Sequence, residues 1–148
     1  MDMMKSMLIA ASGMKAQAER WRVIAENLAN ASSTGTKPGE EPYRRKVPVF
    51  QSELDNVTRT ETIRVKKITR DMSPFREQYM PGHPAADARG YVKLPNVNSL
   101  IETMDMREAQ RAYEANLSVI DNTRAMLSRT VDLLRRGSPD GTEPWQAS

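Results

Sequence analysis

The sequence holds few residues that could take part in catalysis or bind a metal. Its one histidine, His83, lies in the segment PGHP, and there is no cysteine. Nucleophilic catalysis, general acid–base catalysis and zinc binding each need several reactive groups close together. The acidic residues are spread along helical patterns, where Glu19 and Glu26 fit a charged helix face. We therefore expect a protein that is not an enzyme and that has no catalytic residue, metal site or cofactor.

Basic residues occur in short groups that could contact phosphates. The groups lie at 44–46, 66–67 and 135–136, in a chain whose net charge is only +3. Acidic residues separate the groups, and no aromatic residues are interleaved with them, which favours solvated or interfacial charge. We expect no nucleic-acid partner, and a basic helical nucleic-acid-binding module is kept as the alternative function.

Proline residues divide the chain, because proline is excluded from helix interiors. All nine lie between positions 38 and 95 or after position 138. The middle contains short β-like pieces at 46–50, 62–68 and 90–95. The predicted segments are an N-terminal helix at 1–36, a β-like or irregular middle at 37–95, a C-terminal helix at 96–136 and a tail at 137–148.

Apolar residues on both predicted helices repeat with alternating spacings of four and three, which is typical of coiled coils. We expect the helices to pair as an antiparallel coiled-coil hairpin, in which the longer second helix extends beyond the first. The predicted fold is mainly α with a small β or irregular middle. The large residues of the predicted pairing seam are Met7, Met14, Trp21, Leu28, Tyr113, Leu117, Ile120, Leu127, Val131 and Leu134.

Each predicted helix also carries a second apolar stripe, which a two-helix hairpin cannot bury. Exposed stripes forfeit stability, because each buried large side chain contributes about 1.5–3 kcal/mol. Asparagines in the last helical turns are unusual too, since their amides compete for backbone hydrogen bonds. Burial against other chains explains both features; the alternatives are a loose bundle within the chain and asparagines that merely end the helix. The predicted intersubunit contacts are Ile9, Val23, Asn27, Asn30, Val119 and Met126.

Membrane insertion and signal cleavage are not predicted. No apolar run approaches the ~18 residues that a membrane-spanning helix needs. The apolar segment 7–14 is too short and too lightly flanked for a cleavable secretory signal. We expect a protein that is not membrane-embedded and that leaves the cytoplasm, if at all, without a cleaved signal peptide.

Three motifs resemble the bacterial flagellar basal-body rod proteins, and among them most closely the proximal-rod members. They are ASGMKAQAERWRVIAENLANASSTGT at 11–36, MPGHPAADARGYVKLPNVN at 80–98 and MREAQRAYEANLSVIDNTRAML at 106–127. The resemblance implies a structural subunit that is exported unprocessed through the flagellar type III apparatus and stacks helically into the rod across the periplasm. It also implies terminal helices that pair in the axial core and a middle segment that packs outward. The implied partners are other copies of the chain, other proximal-rod and distal-rod proteins, and the adaptor between the export gate and the MS ring.

Overall fold

The computed structural model describes residues 2–137, and two long helices are its largest elements. Between them lie two separate pairs of antiparallel strands, so the predicted combination of two long helices with a small β region is confirmed. The elements are α1 (Met3–Ala29), β1 (Lys46–Asp55), β2 (Thr60–Arg70), β3 (Arg76–Tyr79), β4 (Tyr91–Leu94) and α2 (Ser99–Arg136). Of the predicted tail at 137–148, only Gly137 is described. In the part of the chain that is described, no helix is long and apolar enough to cross a membrane.

Polar residues define where both helices begin and end. The carboxylate of Asp2 accepts a hydrogen bond from the Met4 N–H, and the side chain of Asn98 caps the start of α2 in the same way. These caps satisfy N–H groups that have no partner within a helix. Asn30 ends α1, and Gly137 ends α2 with its N–H bonded to the Leu133 carbonyl at 2.8 Å.

The two helices contact each other in antiparallel order. Three residue pairs make the contact: Gly13 with Asn116, Arg20 with Glu108, and Asn27 with Glu102. A Cβ atom added to Gly13 would lie 2.7 Å from Nδ2 of Asn116, and the other two pairs are side-chain contacts of 3.5 Å. On α1 the contacting residues are seven apart, as in a heptad repeat. The interlocked side-chain packing of a coiled coil stays a prediction.

On α1 this contact line lies one residue before the predicted seam, which corresponds to a rotation of about 100°, and on α2 Asn116 lies one residue before Leu117 of the seam. The seam prediction is therefore wrong for the five residues that are exposed. The rotation follows from small and polar residues that let the helices approach, while the large residues lie beside the contact. Five further seam residues are half-buried: Met7, Met14, Leu28, Ile120 and Leu127. The exposed five are Trp21, Tyr113, Leu117, Val131 and Leu134.

The hairpin of β1 and β2 covers a second side of α1. Ala16 and Val23 are buried there at 2% and 1% exposure, and the Ser12 hydroxyl accepts a hydrogen bond from the Ile63 N–H at 3.3 Å. The prediction that Val23 contacts a neighbouring subunit is wrong, because the chain's own hairpin buries this stripe. The hairpin register shifts between Val49 and Phe50, which marks a β-bulge.

The second strand pair and its connecting loop contact the segment that follows α1. Val92 and Val97 are buried, and Arg76 donates to the carbonyls of Ala31 (3.0 Å) and Pro95 (3.1 Å). These contacts hold the chain after α1 close to the chain before α2. Both ends of the middle segment therefore meet at the same end of the helix pair.

At the other end of the molecule, α2 extends past α1. Continuing the antiparallel contacts places Met3 near Met126, so residues 127–136 of α2 lie beyond the start of α1. We call these residues the overhang. It is about 15 Å long at 1.5 Å per residue.

Candidate assembly interface

Asn27 lies in a buried polar cluster rather than on an outer surface. Its side chain donates from Nδ2 to the Lys46 carbonyl (2.9 Å), and its Oδ1 accepts from the Lys46 N–H (3.0 Å) and the Tyr43 hydroxyl (2.7 Å). The amide thus pairs with both backbone groups of the first residue of β1, as a neighbouring strand would. Since Asn27 is only 1% exposed and is bonded within the chain, its predicted intersubunit contact is wrong.

Asn30 has a different position from Asn27. It is half-buried at the end of α1, where its Nδ2 donates to the Glu26 carbonyl at 2.9 Å. The same carbonyl also accepts from the Asn30 N–H at 3.2 Å, so both bonds are local to the helix end. The structure thus agrees with the alternative that Asn30 ends the helix, and a contact with a neighbouring subunit stays a prediction.

Glu102 brings a carboxylate into the same buried cluster. It is 1% exposed, and the Nε of Arg45 donates to its Oε1. The Arg45 guanidinium also pairs with Asp71 (3.3 Å, Nη1 to Oδ2) and lies 3.8 Å from Asp105. Hydrogen bonds from the Ser73 backbone and side chain, followed by Arg45, lower the pKa of Asp71. Because Glu102 is fully buried, removing Arg45 would leave an unpaired buried charge, at a cost of about 3–5 kcal/mol.

Tyr43 shows how strongly the cluster disfavours extra negative charge. Burial, and then the charges of Glu26 and Glu102, raise the pKa of Tyr43 to about 12. The hydroxyl therefore stays protonated at neutral pH and donates to Asn27. The same acidic surroundings act oppositely on Arg45, where burial lowers the pKa but the hydrogen bond and charge of Glu102 outweigh it and raise the pKa.

The cluster positions the β1–β2 hairpin on the helix pair. Asn96 accepts from the Arg45 N–H at 2.7 Å and donates to the Asp71 carbonyl at 2.9 Å, which ties both ends of the hairpin to the start of α2. Within residues 2–137, no group of three or more acidic or histidine side chains could hold a metal ion.

An open groove runs between α1 and α2. It has a volume of about 370 Å³. On α1, Ala18 and Trp21 lie about 140–160° around the helix from Ala16 and Val23, and Gln17 lies about 100–120° from them, so the groove faces away from the hairpin. Trp21 and Tyr113, which were both assigned to the predicted seam, lie on opposite rims and remain 48% and 38% exposed. The groove is lined by Gln17, Ala18, Trp21, Ala109, Gln110 and Tyr113.

Three of the predicted intersubunit residues lie on the surface of the chain. Ile9, Val119 and Met126 are exposed, so they are available to another molecule, and their contact with one stays a prediction. Together with the groove, they leave apolar side chains uncovered on more than one side of the helix pair.

His83 has a more defined position than a simple turn residue. Its Nδ1 accepts from the Ala85 N–H (3.0 Å), and its Nε2 lies 3.2 Å from the Thr34 hydroxyl. Because Nδ1 is an acceptor, the neutral ring carries its proton on Nε2 and donates to Thr34. His83 therefore connects the loop after β3 to the segment after α1.

Known proteins with similar sequences identify the family. The family described as "Flagella basal body rod protein" matches residues 7–37, and "Flagellar basal body rod FlgEFG protein C-terminal" matches residues 88–133. The flagellar basal-body rod protein FlgC of Agrobacterium fabrum is 54% identical over 127 residues, covering 86% of this chain and 91% of the relative. The chain belongs to the FlgC family of flagellar basal-body rod proteins.

More distant FlgC proteins are similar over nearly the same length. The protein of Salmonella typhimurium is 40% identical over 125 residues, covering 84% of this chain and 92% of the relative. That of Borreliella burgdorferi is 37% identical over 153 residues, covering 91% and 99%. The resemblance inferred from the three motifs is confirmed, and the nucleic-acid-binding alternative receives no support.

The polar cluster of this FlgC-family chain was missed by sequence reasoning. The basic group at 44–46, which includes Arg45, was assigned to solvated or interfacial charge, and Glu102 was not singled out, because charged side chains are rarely buried unless they are paired. Apolar periodicity takes no account of such pairs, and Arg45 and Glu102 are separated by 57 positions. The one available signal was Asn27 itself, since a helix-interior asparagine indicates a partner outside its own helix.

Proposed function

We propose that this FlgC-family chain is a structural subunit of the proximal rod. It polymerises helically into part of the hollow drive shaft that transmits torque and passes export substrates. The open groove carries this proposal, because apolar and aromatic side chains at its rims are uncovered in the single chain. Exposed apolar surface of this kind marks sites of protein association.

The partners follow from the same proposal. They are other copies of the chain, neighbouring proximal-rod and distal-rod proteins, and the adaptor between the export gate and the MS ring. The rod lies in the periplasm, and the subunit reaches it without a cleaved signal peptide. Residues 1–36 and 96–136 form the axial core, and residues 37–95 pack outward. The chain needs no cofactor and catalyses no reaction.

The surface proposed for contact with neighbours differs in part from the predicted one. Val23 and Asn27 are excluded because they are buried within the chain. We assign Trp21, Tyr113 and Leu117 to the intersubunit surface and no longer to the helix seam, since all three are exposed. The residues retained from the prediction are Ile9, Asn30, Val119 and Met126.

Ala18→Asp tests the proposal. Ala18 is exposed and lines the groove, so a charge there is tolerated in the free chain but loses its water when a neighbour covers the groove. We expect normal amounts of the variant in the culture medium, strongly reduced amounts in purified basal bodies, and loss of swimming.

Ala125→Asp is the matched control. Ala125 is also an exposed helical alanine, and it points away from α1. Equal incorporation of both variants into basal bodies would contradict the groove as an assembly surface. Reduced incorporation of Ala18→Asp alone, with both subunits exported and folded, supports it.

A further inference from the structure

The outer edge of β1 is the edge of the hairpin that lies away from β2. On β2, the Ile63 N–H donates to Ser12 of α1, so this group points away from β1. In an antiparallel pair, opposite residues either bond each other through both backbone groups or direct both groups outward, and the two kinds alternate along the strands. Because Ser52 lies opposite Ile63, the N–H and carbonyl of Ser52 point away from β2. The same holds for every second residue of β1.

One half of this outer edge is closed. At Lys46, the Asn27 side chain bonds both outward backbone groups. Pro48 has no N–H to offer, and the β-bulge follows at Val49 and Phe50. Prolines and bulges on an edge strand hinder pairing with a further strand. The first half of β1 is thus protected against another strand.

The other half of the edge is open. Phe50, Ser52 and Leu54 each direct an N–H and a carbonyl outward, and in the part of the chain that the structure describes β1 pairs only with β2. Their side chains share one face of the hairpin with Ile63, and Phe50, Leu54 and Ile63 are 39%, 49% and 50% exposed. Residues 50–54 contain no lysine, arginine or proline. An unprotected apolar edge of this kind is a template for pairing with another strand.

The order of residues along the open edge is complementary to itself. An antiparallel pair of two such edges centred on Ser52 places Phe50 of each copy opposite Leu54 of the other. On the opposite face it places Gln51 opposite Glu53, so that an amide donor meets a carboxylate acceptor. Every outward N–H and carbonyl of the open half then has a partner on the second copy.

Other registers of the same pair fit less well. Registers centred nearer the start of β1 place Pro48, which lacks an N–H, opposite an open residue. Registers centred nearer the turn place Glu53 opposite either Glu53 or Asp55 of the second copy, and like charges directly opposite each other destabilise paired strands. The sequence of the edge therefore selects the register centred on Ser52.

We propose that two copies of the free subunit pair through residues 50–54 of β1, with Ser52 on the two-fold axis, so that their hairpins form one four-stranded sheet. The additional strands stabilise each hairpin, since an isolated two-stranded hairpin is marginal in water. Such a pair points its two copies in opposite directions, whereas the subunits of a helical stack all point the same way. The pair is therefore a state of the free subunit, and it does not depend on the function proposed above.

Charge at the two-fold axis tests the pair. Ser52 is exposed, so the single chain tolerates a lysine or a glutamate there, but in the pair each faces its own copy. We expect the natural chain to show a reversible monomer–dimer equilibrium in analytical ultracentrifugation. Ser52→Lys and Ser52→Glu should each raise the dimer Kd at least about fivefold, because like charges then lie opposite each other. An equal mixture of the two variants should recover the dimer, which also shows that both are folded.

Three results of this experiment would overturn the proposal. The first is a natural chain that stays monomeric up to about 1 mM. The second is a mixture of Ser52→Lys and Ser52→Glu that dimerises no better than either variant alone. The third concerns Ala18→Asp, the groove variant described above, which should dimerise like the natural chain. Loss of the dimer in Ala18→Asp but not in Ser52→Lys would place the contact in the groove.

Single cysteines test the register, since the natural chain contains none. Ser52→Cys places two thiols opposite each other with their Cα atoms about 5.5 Å apart, a distance that a disulfide can bridge. Gln51→Cys is the matched control, because Gln51 is also exposed but faces Glu53 of the second copy. Under mild oxidation we expect rapid cross-linking of Ser52→Cys and little of Gln51→Cys. Equal rates for the two variants would overturn the register.

Discussion

At the scale of single residues, Asn27 shows how one side chain can hold a strand to a helix. Its amide satisfies the N–H and the carbonyl of Lys46 and accepts from Tyr43. Asn27→Ala leaves these groups desolvated, at a cost of about 1–3 kcal/mol, which exceeds the few tenths gained in helix propensity. We expect the purified subunit to be destabilised by roughly that amount in urea denaturation.

Asn30→Ala is the control for Asn27→Ala. Asn30 is half-buried and its side chain bonds only the nearby Glu26 carbonyl in the same helix end. Because water can replace that bond, we expect a loss below about 1 kcal/mol. A neutral Asn27→Ala subunit, or equal losses for the two variants, would show that the Asn27–Lys46 bonds do not hold the hairpin.

Tyr43 makes the same cluster sensitive to alkaline pH. Its pKa is raised to about 12 from 10.0 by burial and by Glu26 and Glu102. Between these two values the unfolded chain has lost the phenol proton while the folded chain retains it, so the folded state loses stability as pH rises. We expect the stability advantage of the natural chain over Tyr43→Phe to be constant below pH 10 and to shrink from pH 10 towards 12.

The other tyrosines, lysines and arginines titrate in both proteins, so the comparison with Tyr43→Phe isolates the Tyr43 hydroxyl. Unfolding of both chains is measured by circular dichroism at a series of pH values. An advantage that stays constant up to pH 12 would mean that the Tyr43 hydroxyl is ordinary and that the cluster is open to water.

At the scale of the elements, Gly13 allows α1 and α2 to approach closely. A Cβ atom there would lie 2.7 Å from Nδ2 of Asn116. Gly13→Ala alone gains helix propensity of up to about 1 kcal/mol but displaces the asparagine, so we expect no stabilisation. In an Asn116→Ala background the clash is absent and the same substitution should stabilise the subunit.

A double-mutant cycle with urea denaturation measures this coupling directly. Contacting residues typically show interaction energies of about 0.5–3 kcal/mol. Additive effects of Gly13→Ala and Asn116→Ala would place these two residues out of contact and would contradict the helix pairing described above.

The elements themselves could largely be predicted, because their signals are local. The helical windows free of proline contain α1 and α2, and the β-like pieces at 46–50, 62–68 and 90–95 all fall on strands. β3 was missed because its residues, Arg76–Tyr79, are all exposed and show no apolar alternation. The pairing face was wrong by one residue because spacing fixes the period of a stripe but not which stripe meets the partner helix.

The polar cluster could not be predicted for a different reason. Its members come from α1, the root of the hairpin and the start of α2. Arg45 and Glu102 look like ordinary surface residues in their own segments, and only Asn27 is unusual in its helix. Only the fold brings Asn27, Arg45 and Glu102 together. Once they meet, hydrogen bonds and opposite charge compensate for their burial, which composition and periodicity cannot show.

At the scale of the whole molecule, the helix pair is covered on one side and open on the other. The hairpin covers Ala16 and Val23, whereas Trp21 and Tyr113 line the open groove. This asymmetry explains the two apolar stripes on α1, since the hairpin covers one stripe and the other faces outward. This arrangement leaves an apolar surface open for neighbouring subunits.

The free subunit should therefore show graded protection along α2 in amide hydrogen exchange. Residues 102–116 pack on α1 near the buried cluster, whereas residues 128–136 extend beyond α1. Isolated helices of about ten residues are marginal in water, and the overhang has no packing against α1 to stabilise it. We expect slow exchange at 102–116 and in α1 near Asn27, and much faster exchange at 128–136.

Both segments of α2 belong to one continuous helix and are measured in one sample, so temperature and pH are the same for both. Fast exchange throughout both helices would mean that the helix pair forms only on assembly, and uniformly slow exchange up to Arg136 would mean that the overhang has a partner as extensive as α1.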